Sequence, residues 1–310
     1  MRRAAAPASA PARSASERAH GIGYAIASAS LFGFNTNFAR LAFLSGADAP
    51  TLNAVRFGST VLVLLLFLGV RRARAPLTRR QRLGAFALGV LFFLCSFGYM
   101  GAIQFIPVSI AVLLLYSYPI LVGLIARVSE REPLGPARLA ALLLAFVGVA
   151  LALGIDATAL PDWRGIALAF LAAGAMSLFV TGSSRVMRGA DRGGVNLHLM
   201  AAASALFLVA LIAGGPASWP KSEGGWLAFG GAVITFALAQ LALMAAIARG
   251  GAMLTAAFMN LEPLLTIALA VLLVGESLSP LQFVGAALVV IAIFLMGRGR
   301  PAAVPVVAEP

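Results

Sequence analysis

Charge is scarce in this chain, and cysteine and histidine are scarcer. Only 11% of the residues are charged while 61% are hydrophobic, a balance that excludes a soluble globular domain. The single cysteine, Cys95, excludes an internal disulfide and a cysteine metal site, so no metal or other cofactor is expected. An intramembrane enzyme, such as a lipid-modifying transferase, needs several converging His, Asp or Glu side chains. His20 and His198 lie at the edges of apolar segments and read as interfacial, which leaves one acid at membrane depth and no such constellation. No glycine-lysine nucleotide signature occurs, which excludes an ATP-driven pump in this chain. A non-transporting membrane sensor would want a soluble domain or long tail, which the short connections do not supply.

Apolar length is abundant. Segments of about 20 residues, enough to cross about 30 Å of hydrocarbon, recur at 20–44, 50–70, 82–105, 107–127, 135–154, 163–184, 195–214, 225–247, 250–274 and 281–297. The expected fold is an all-α integral membrane protein of ten transmembrane helices. The formal charge of +12 reflects topology and not nucleic acid, because the basic residues gather at alternate span ends. With the N-terminus in the cytoplasm, Arg2, Arg3, Arg13, Arg18, Arg71, Arg72, Arg74, Arg79, Arg80, Arg82, Arg127, Arg131, Arg138, Arg185, Arg188, Arg192, Arg249, Arg298 and Arg300 share one side. The other side receives Arg164 and Lys221, together with Trp163, Trp219 and Trp226, which suit an interfacial belt. Both termini are then cytoplasmic, in a multi-pass protein of the inner or plasma membrane. Residues 1–19 read as a disordered tail and 298–310 as a second one. The first apolar segment is a full span containing Asn35 and Asn37, unlike the short core of a cleaved signal peptide.

Shifted by 144 residues, the chain aligns with itself. Gly21-Ile22 meets Gly165-Ile166, Ala102-Ile103 meets Ala246-Ile247, Pro119 meets Pro263, Glu132 meets Glu276, Leu134 meets Leu278 and Pro136 meets Pro280. Residues 20–154 and 163–297 therefore form two five-helix repeats, and an odd number of spans inverts the second copy. Pro119 and Pro263 lie 12 or 13 residues into the fourth and ninth spans, near mid-membrane, where each is expected to free the carbonyl of Leu115 or Met259 and bend its helix. Glu132 and Glu276 sit at helix-end turns, and Pro136 and Pro280 suit the first turn of the next helix.

The stretches "YPILVGLIARVSEREPLGP", "EPLLTIALAVLLVGESLSPLQFVGAALVVIAIFLMG", "PTLNAVRFGSTVLVLLL" and "LFGFNTNFAR" are similar to the EamA-like ten-helix branch of the drug/metabolite transporter superfamily. The resemblance covers residues 20 to 297. It implies a carrier of small metabolites, often amino acids moved outward, and no enzyme.

Glu262 is the main candidate for chemistry, being the one ionisable side chain in the run from Ala252 to Val274. An acid at the centre of a span costs about 2.5 to 3.5 kcal/mol to insert, and such residues face a bundle interior or a wet cavity. At helical spacing it shares a stripe with Met259, Thr266 and Thr255, able to meet a substrate amine or exchange a proton. The alternative is a hydrogen-bonded acid fixing the kink. The repeat places Tyr118 opposite Glu262 and Tyr116 opposite Asn260. Because residues two apart on a continuous helix point about 200° apart, Tyr118 ranks above Tyr116, Glu262 above Asn260, and Asn35 parts from Asn37.

Gly33, Asn37 and Arg40 share one face of the first span and correspond to Ser177, Thr181 and Ser184. Asn37 is read toward a cavity, the serines and threonine toward packing. Arg40 and Arg56 can hold a substrate carboxylate or form an anion-friendly vestibule; equally, Arg56 can pair with Asp48 or snorkel to headgroups. Gln240, Tyr99 and Ser96 are lower-ranked cavity liners. The expected function is a secondary exporter, monomeric or homodimeric, working by alternating access around a midplane cavity, with a small molecule and possible protons as its partners.

Overall fold

The computed structural model describes residues 15–70, 76–102, 105–106, 108–129, 135–154, 162–214, 216–274 and 279–298. Outside them lie Arg2, Arg3, Arg13, Arg71, Arg72, Arg74, Arg131, Glu132, Leu134, Glu276, Leu278 and Arg300, and with Glu132 and Glu276 the helix-end turns assigned to them. Every described element of regular structure is helical: α1 (Ala15–Leu44), α2 (Ala49–Val70), α3 (Arg79–Ala102), α4 (Val108–Leu115), α5 (Tyr118–Ser129), α6 (Pro136–Ala152), α7 (Trp163–Val186), α8 (Arg192–Gly214), α9 (Glu223–Gly250), α10 (Ala252–Met259), α11 (Leu261–Val274) and α12 (Pro280–Arg298). α1 begins inside the stretch read as a tail.

Among the described residues, seven stretches are long and apolar enough to cross a membrane: Ala49–Leu66, Arg79–Ala102, Ser109–Val128, Trp163–Val186, Arg192–Gly214, Glu223–Gly250 and Ala252–Leu269. The other three of the ten expected spans fall short for two reasons. α1 has 30 residues but is diluted by Asn35, Asn37 and Arg40, and the apolar stretches Pro136–Ala152 and Pro280–Met296 are short. Large apolar side chains cover the outside, among them Leu66, Ile212, Leu227 and Phe294, an arrangement suited to lipid and unsuited to water.

Helix ends are set locally. Thr78 and Gln81 exchange bonds of 2.9 and 3.3 Å before α3, and Ser279 and Gln282 do the same at α12, the reciprocal pattern that satisfies orphan amides. Asp162 accepts from the Arg164 amide at 2.8 Å to start α7.

Packing between helices rests on small residues. A Cβ on Gly21 would lie 2.6 Å from the Gly250 Cα, which brings the start of α1 against the end of α9. At the opposite end, Ser45 and Ser222 share a 2.8 Å hydroxyl bond, and the Lys221 amide donates to the Ser45 carbonyl at 2.8 Å. α1 and α9 therefore run antiparallel. α3 and α7 do likewise, because Gly84 abuts Val186 while Gly98 abuts Leu168. Helix pairing is preserved when the halves are exchanged: α1 with α9 and α7 with α3; α2 with α9 and α8 with α3; α10 and α11 on α1 as α4 and α5 on α7. α2 pairs with its counterpart α8, and α6 with α12.

Candidate functional site

Both proline-bearing spans are broken, not merely bent. α4 ends at Leu115 and α5 starts at Tyr118; α10 ends at Met259 and α11 starts at Leu261. Pro119 and Pro263 thereby fall in the first turn of a new helix, where a missing amide hydrogen is least harmful. Side chains at the breaks take up carbonyls. Ser117 Oγ donates to Leu114 at 2.6 Å, and Asn260 Nδ2 donates to Ala257 at 3.1 Å. Asn260 is therefore a cap of the break, although its Oδ1 has no partner among the described residues. Glu262 occupies the first turn of α11, where the positive end of the helix dipole favours an acid.

The Tyr116 side chain lies close enough to Glu262 to interact with its carboxylate. Tyr116 thus joins Tyr118 near the acid, although helical geometry ranks it lower. Continuous helical geometry parted Tyr116 from Glu262, but the turn at 116–117 removes that continuity. Tyr118 is 3% exposed, its ring centroid 6.1 Å from that of Tyr116, and its hydroxyl has no partner among the described residues. Tyr99, Tyr118 and Cys95 all lie within the electrostatic reach of Glu262.

Asn37 meets α11 one turn beyond Glu262, with its amide engaged with backbone. Its Nδ2 donates to Gly33 at 3.0 Å and to Thr266 at 3.1 Å, tying α1 to α11. Gly33 permits that approach, since a Cβ there would be 3.1 Å from the Leu265 Cβ. Thr266 donates to the Glu262 carbonyl at 2.9 Å, which stiffens the turn carrying the acid. Thr255 is fully buried with its hydroxyl unpartnered among the described residues, and Met259 is buried next to the break. Gln240 is fully buried with neither amide atom bonded among the described residues. Ser177 and Ser184 bond to Gly174 and Thr181 in their own helix, as packing residues do. Ser96 is half-buried on α3. His198 bonds the Gly194 carbonyl and His20 meets Ser16, both at the surface.

Arg56 departs from the two structural readings offered for it. It is not paired with Asp48, whose carboxylate accepts from the Thr51 amide at 2.7 Å and the Ser218 amide at 3.2 Å. Nor does it reach outward. Its Nη1 donates to Asn35 Oδ1 at 3.2 Å, its guanidinium carbon stands 4.5 Å above the Phe236 ring, and it lies in the field of Glu262. Asn35 in turn donates to the Ala232 carbonyl. Asn35 and Asn37 do face different neighbours, but both are buried, because α1 is covered by α9 on one side and α11 on another. Arg40 is exposed on α1.

Beneath Arg56 lies an aromatic floor that residue-by-residue reading of polar candidates missed. Phe57 packs at tilted angles against Phe207 at 4.6 Å, Phe236 at 4.8 Å and Phe92 at 5.3 Å, while Phe92 stacks on Phe179 at 4.7 Å. Phe92 and Phe236 are counterparts under the same 144-residue shift, and their rings stack at 6.4 Å, so the repeat itself held the signal. Among the described residues no group of three or more His, Cys, Asp or Glu could hold a metal ion.

The model of the EamA-like transporter family matches residues 19–154 and again 163–298. The chain belongs to the EamA-like transporter family. It is therefore a multi-pass membrane transporter for a small molecule, and not an enzyme. It is similar to the threonine/homoserine exporter RhtA of Escherichia coli K12, 28% identical over 76% of this chain and 77% of that protein. The exporters of the same name from E. coli O6:H1 and O157:H7 match to the same extent. A protein of known crystal structure shares the fold, with a TM-score of 0.76, 22% identity, and coverage of 90% of this chain and 96% of that one.

Proposed function

We propose that this transporter exports small polar metabolites, amino acids foremost, by alternating access of two inverted five-helix halves around a midplane cavity centred on Glu262. The observation that carries this reading is the approach of Tyr116 to Glu262. It spans the breaks of the two discontinuous helices, one from each repeat, and such breaks are where transporters of this build bind cargo.

Exchange-symmetric helix pairing and the antiparallel course of α1 with α9 and of α3 with α7 support inversion and the ten-span count. The arginine bias supports cytoplasmic termini in the inner or plasma membrane. The likeness to a threonine/homoserine exporter supports amino acids as cargo and outward movement. Glu262 then binds the substrate ammonium or carries the coupled proton, and the duplicated chain works as a monomer or a homodimer.

The test is Glu262→Gln in proteoliposomes, with threonine counterflow measured beside net flux under a pH gradient. Loss of gradient-driven flux with counterflow retained assigns the proton to Glu262. Equal loss in both assigns the ammonium, and no loss in either removes Glu262 from the site.

A further inference from the structure

A guanidinium offers five N–H donors in a planar fork, and its side-on edge, Nε with Nη2, matches a carboxylate in two parallel bonds. In Arg56 the other end is already taken. Nη1 donates to Asn35, and Asn35 is itself fixed to α9 through the Ala232 carbonyl. Phe236, 4.5 Å from the guanidinium carbon, and Phe57, at 5.8 Å, sit against the group. Three contacts from α1, α2 and α9 thus fix the orientation of the fork, and fixing a long side chain this way removes the ordering penalty that a ligand would otherwise meet.

The Nε/Nη2 edge has no such engagement. Nε is buried from the surface without a hydrogen-bond partner among the described residues, and none of them bonds Nη2. No described carboxylate forms an ion pair with Arg56. Asp48 is held by Thr51 and Ser218, and Glu262 attracts Arg56 through space without an ion-pair contact. A charged donor that is buried and left unmatched is unfavourable in any resting protein, and strongly so within a membrane.

We propose that the Nε/Nη2 edge of Arg56 is a carboxylate subsite, which takes the acid end of a zwitterionic substrate whose ammonium end faces Glu262. The two opposite charges come from different repeats, α2 in the first and α11 in the second. A molecule carrying both signs bridges them, and one lacking the carboxylate leaves the fork unmatched. The assignment rests on the export of amino acids proposed above and adds which group reads which end.

The experiment is ligand-induced thermal stabilisation of the full-length protein in detergent, titrated with threonine, threoninamide and threoninol, for wild type, Arg56→Lys and Arg56→Gln. Wild type is expected to prefer threonine over the amide and the alcohol by about tenfold or more, a difference of about 1.4 kcal/mol. Arg56→Lys keeps a charge without the fork and retains part of that preference; Arg56→Gln abolishes it. A preference undiminished in Arg56→Gln overturns the subsite. If Arg56→Gln fails to fold, Arg56→Lys decides alone, and a preference equal to that of wild type overturns it. Failure of the amino-acid reading looks different: none of the three compounds stabilises wild type. Acetate and propionate against acetamide and propionamide then judge the fork, and stabilisation that is equal for acids and amides, or absent for both, overturns it.

Discussion

Tyr116, at the break of one repeat, faces Glu262, in the first turn after the break of the other. A hydrogen bond between them would couple the shape of one break to the charge state of the other. A hydrogen bond to a charged group is worth about 1.5 to 3 kcal/mol, roughly a tenfold to hundredfold effect. Tyr116→Phe is expected to slow counterflow within that range, and Tyr118→Phe, whose hydroxyl has no described partner, to slow it far less. The reverse order would restore Tyr118 as the partner of Glu262.

Asn37 distinguishes a tether from a contact. Its Nδ2 serves two carbonyls, and removing it leaves the Thr266 carbonyl without its cross-helix donor. Asn37→Ala is expected to lower stability by about 1 to 3 kcal/mol, read as a fall in melting temperature, with substrate affinity little changed in the folded fraction. Unchanged melting with lost transport would make Asn37 a cargo contact, as its place beside Gly33 implies from sequence.

At the end where α1 stops and α9 starts, Asp48 clamps the α1–α2 turn to Ser218. Burial raises its pKa, but bonds from Thr51 and Ser218 outweigh that, and the group titrates below its ordinary value. A carboxyl depressed in the folded state stabilises fully above its unfolded pKa, about 3.9, and loses that contribution as pH falls through the lower folded value. The melting-temperature gap between wild type and Asp48→Asn should stay constant from neutral pH to about 5 and close below about 4. A gap that widened with acid would mean that Asp48 is not ionised in the folded protein.

The apolar, all-helical build and the duplication were legible because both are written in long patterns. Lipid demands apolar runs, and a duplication leaves the same offset at Pro119 and Pro263 as at Gly21 and Gly165. The order within the site was not legible, because it depends on two residues of broken helix. With Tyr116 and Tyr118 on an unbroken helix the angular argument holds; once the turn at 116–117 intervenes, it does not. Arg56 was ambiguous for a different reason. Its partner Asn35 lies in another span, and one sequence carries no record of which face of α1 meets α2.

Phe92 and Phe236 separate what the duplication shares from what it does not. They are repeat counterparts, their rings stack at 6.4 Å with an interplanar angle of 13°, and both join the floor around Phe57. Replacing either by leucine keeps the apolar volume and loses aromatic packing, so each should destabilise by about 1 to 2 kcal/mol. Their second faces differ. Phe92 packs on Phe179 at 4.7 Å, whereas Phe236 supports the guanidinium of Arg56 at 4.5 Å. A cation over an aromatic face in a desolvated site is worth up to about 2 kcal/mol. Phe236→Leu should therefore weaken the binding of a carboxylate-bearing substrate severalfold beyond Phe92→Leu at matched stability, and the excess should vanish in an Arg56→Lys background. Equal binding losses in the two variants would mean that the ring beneath Arg56 serves only the core.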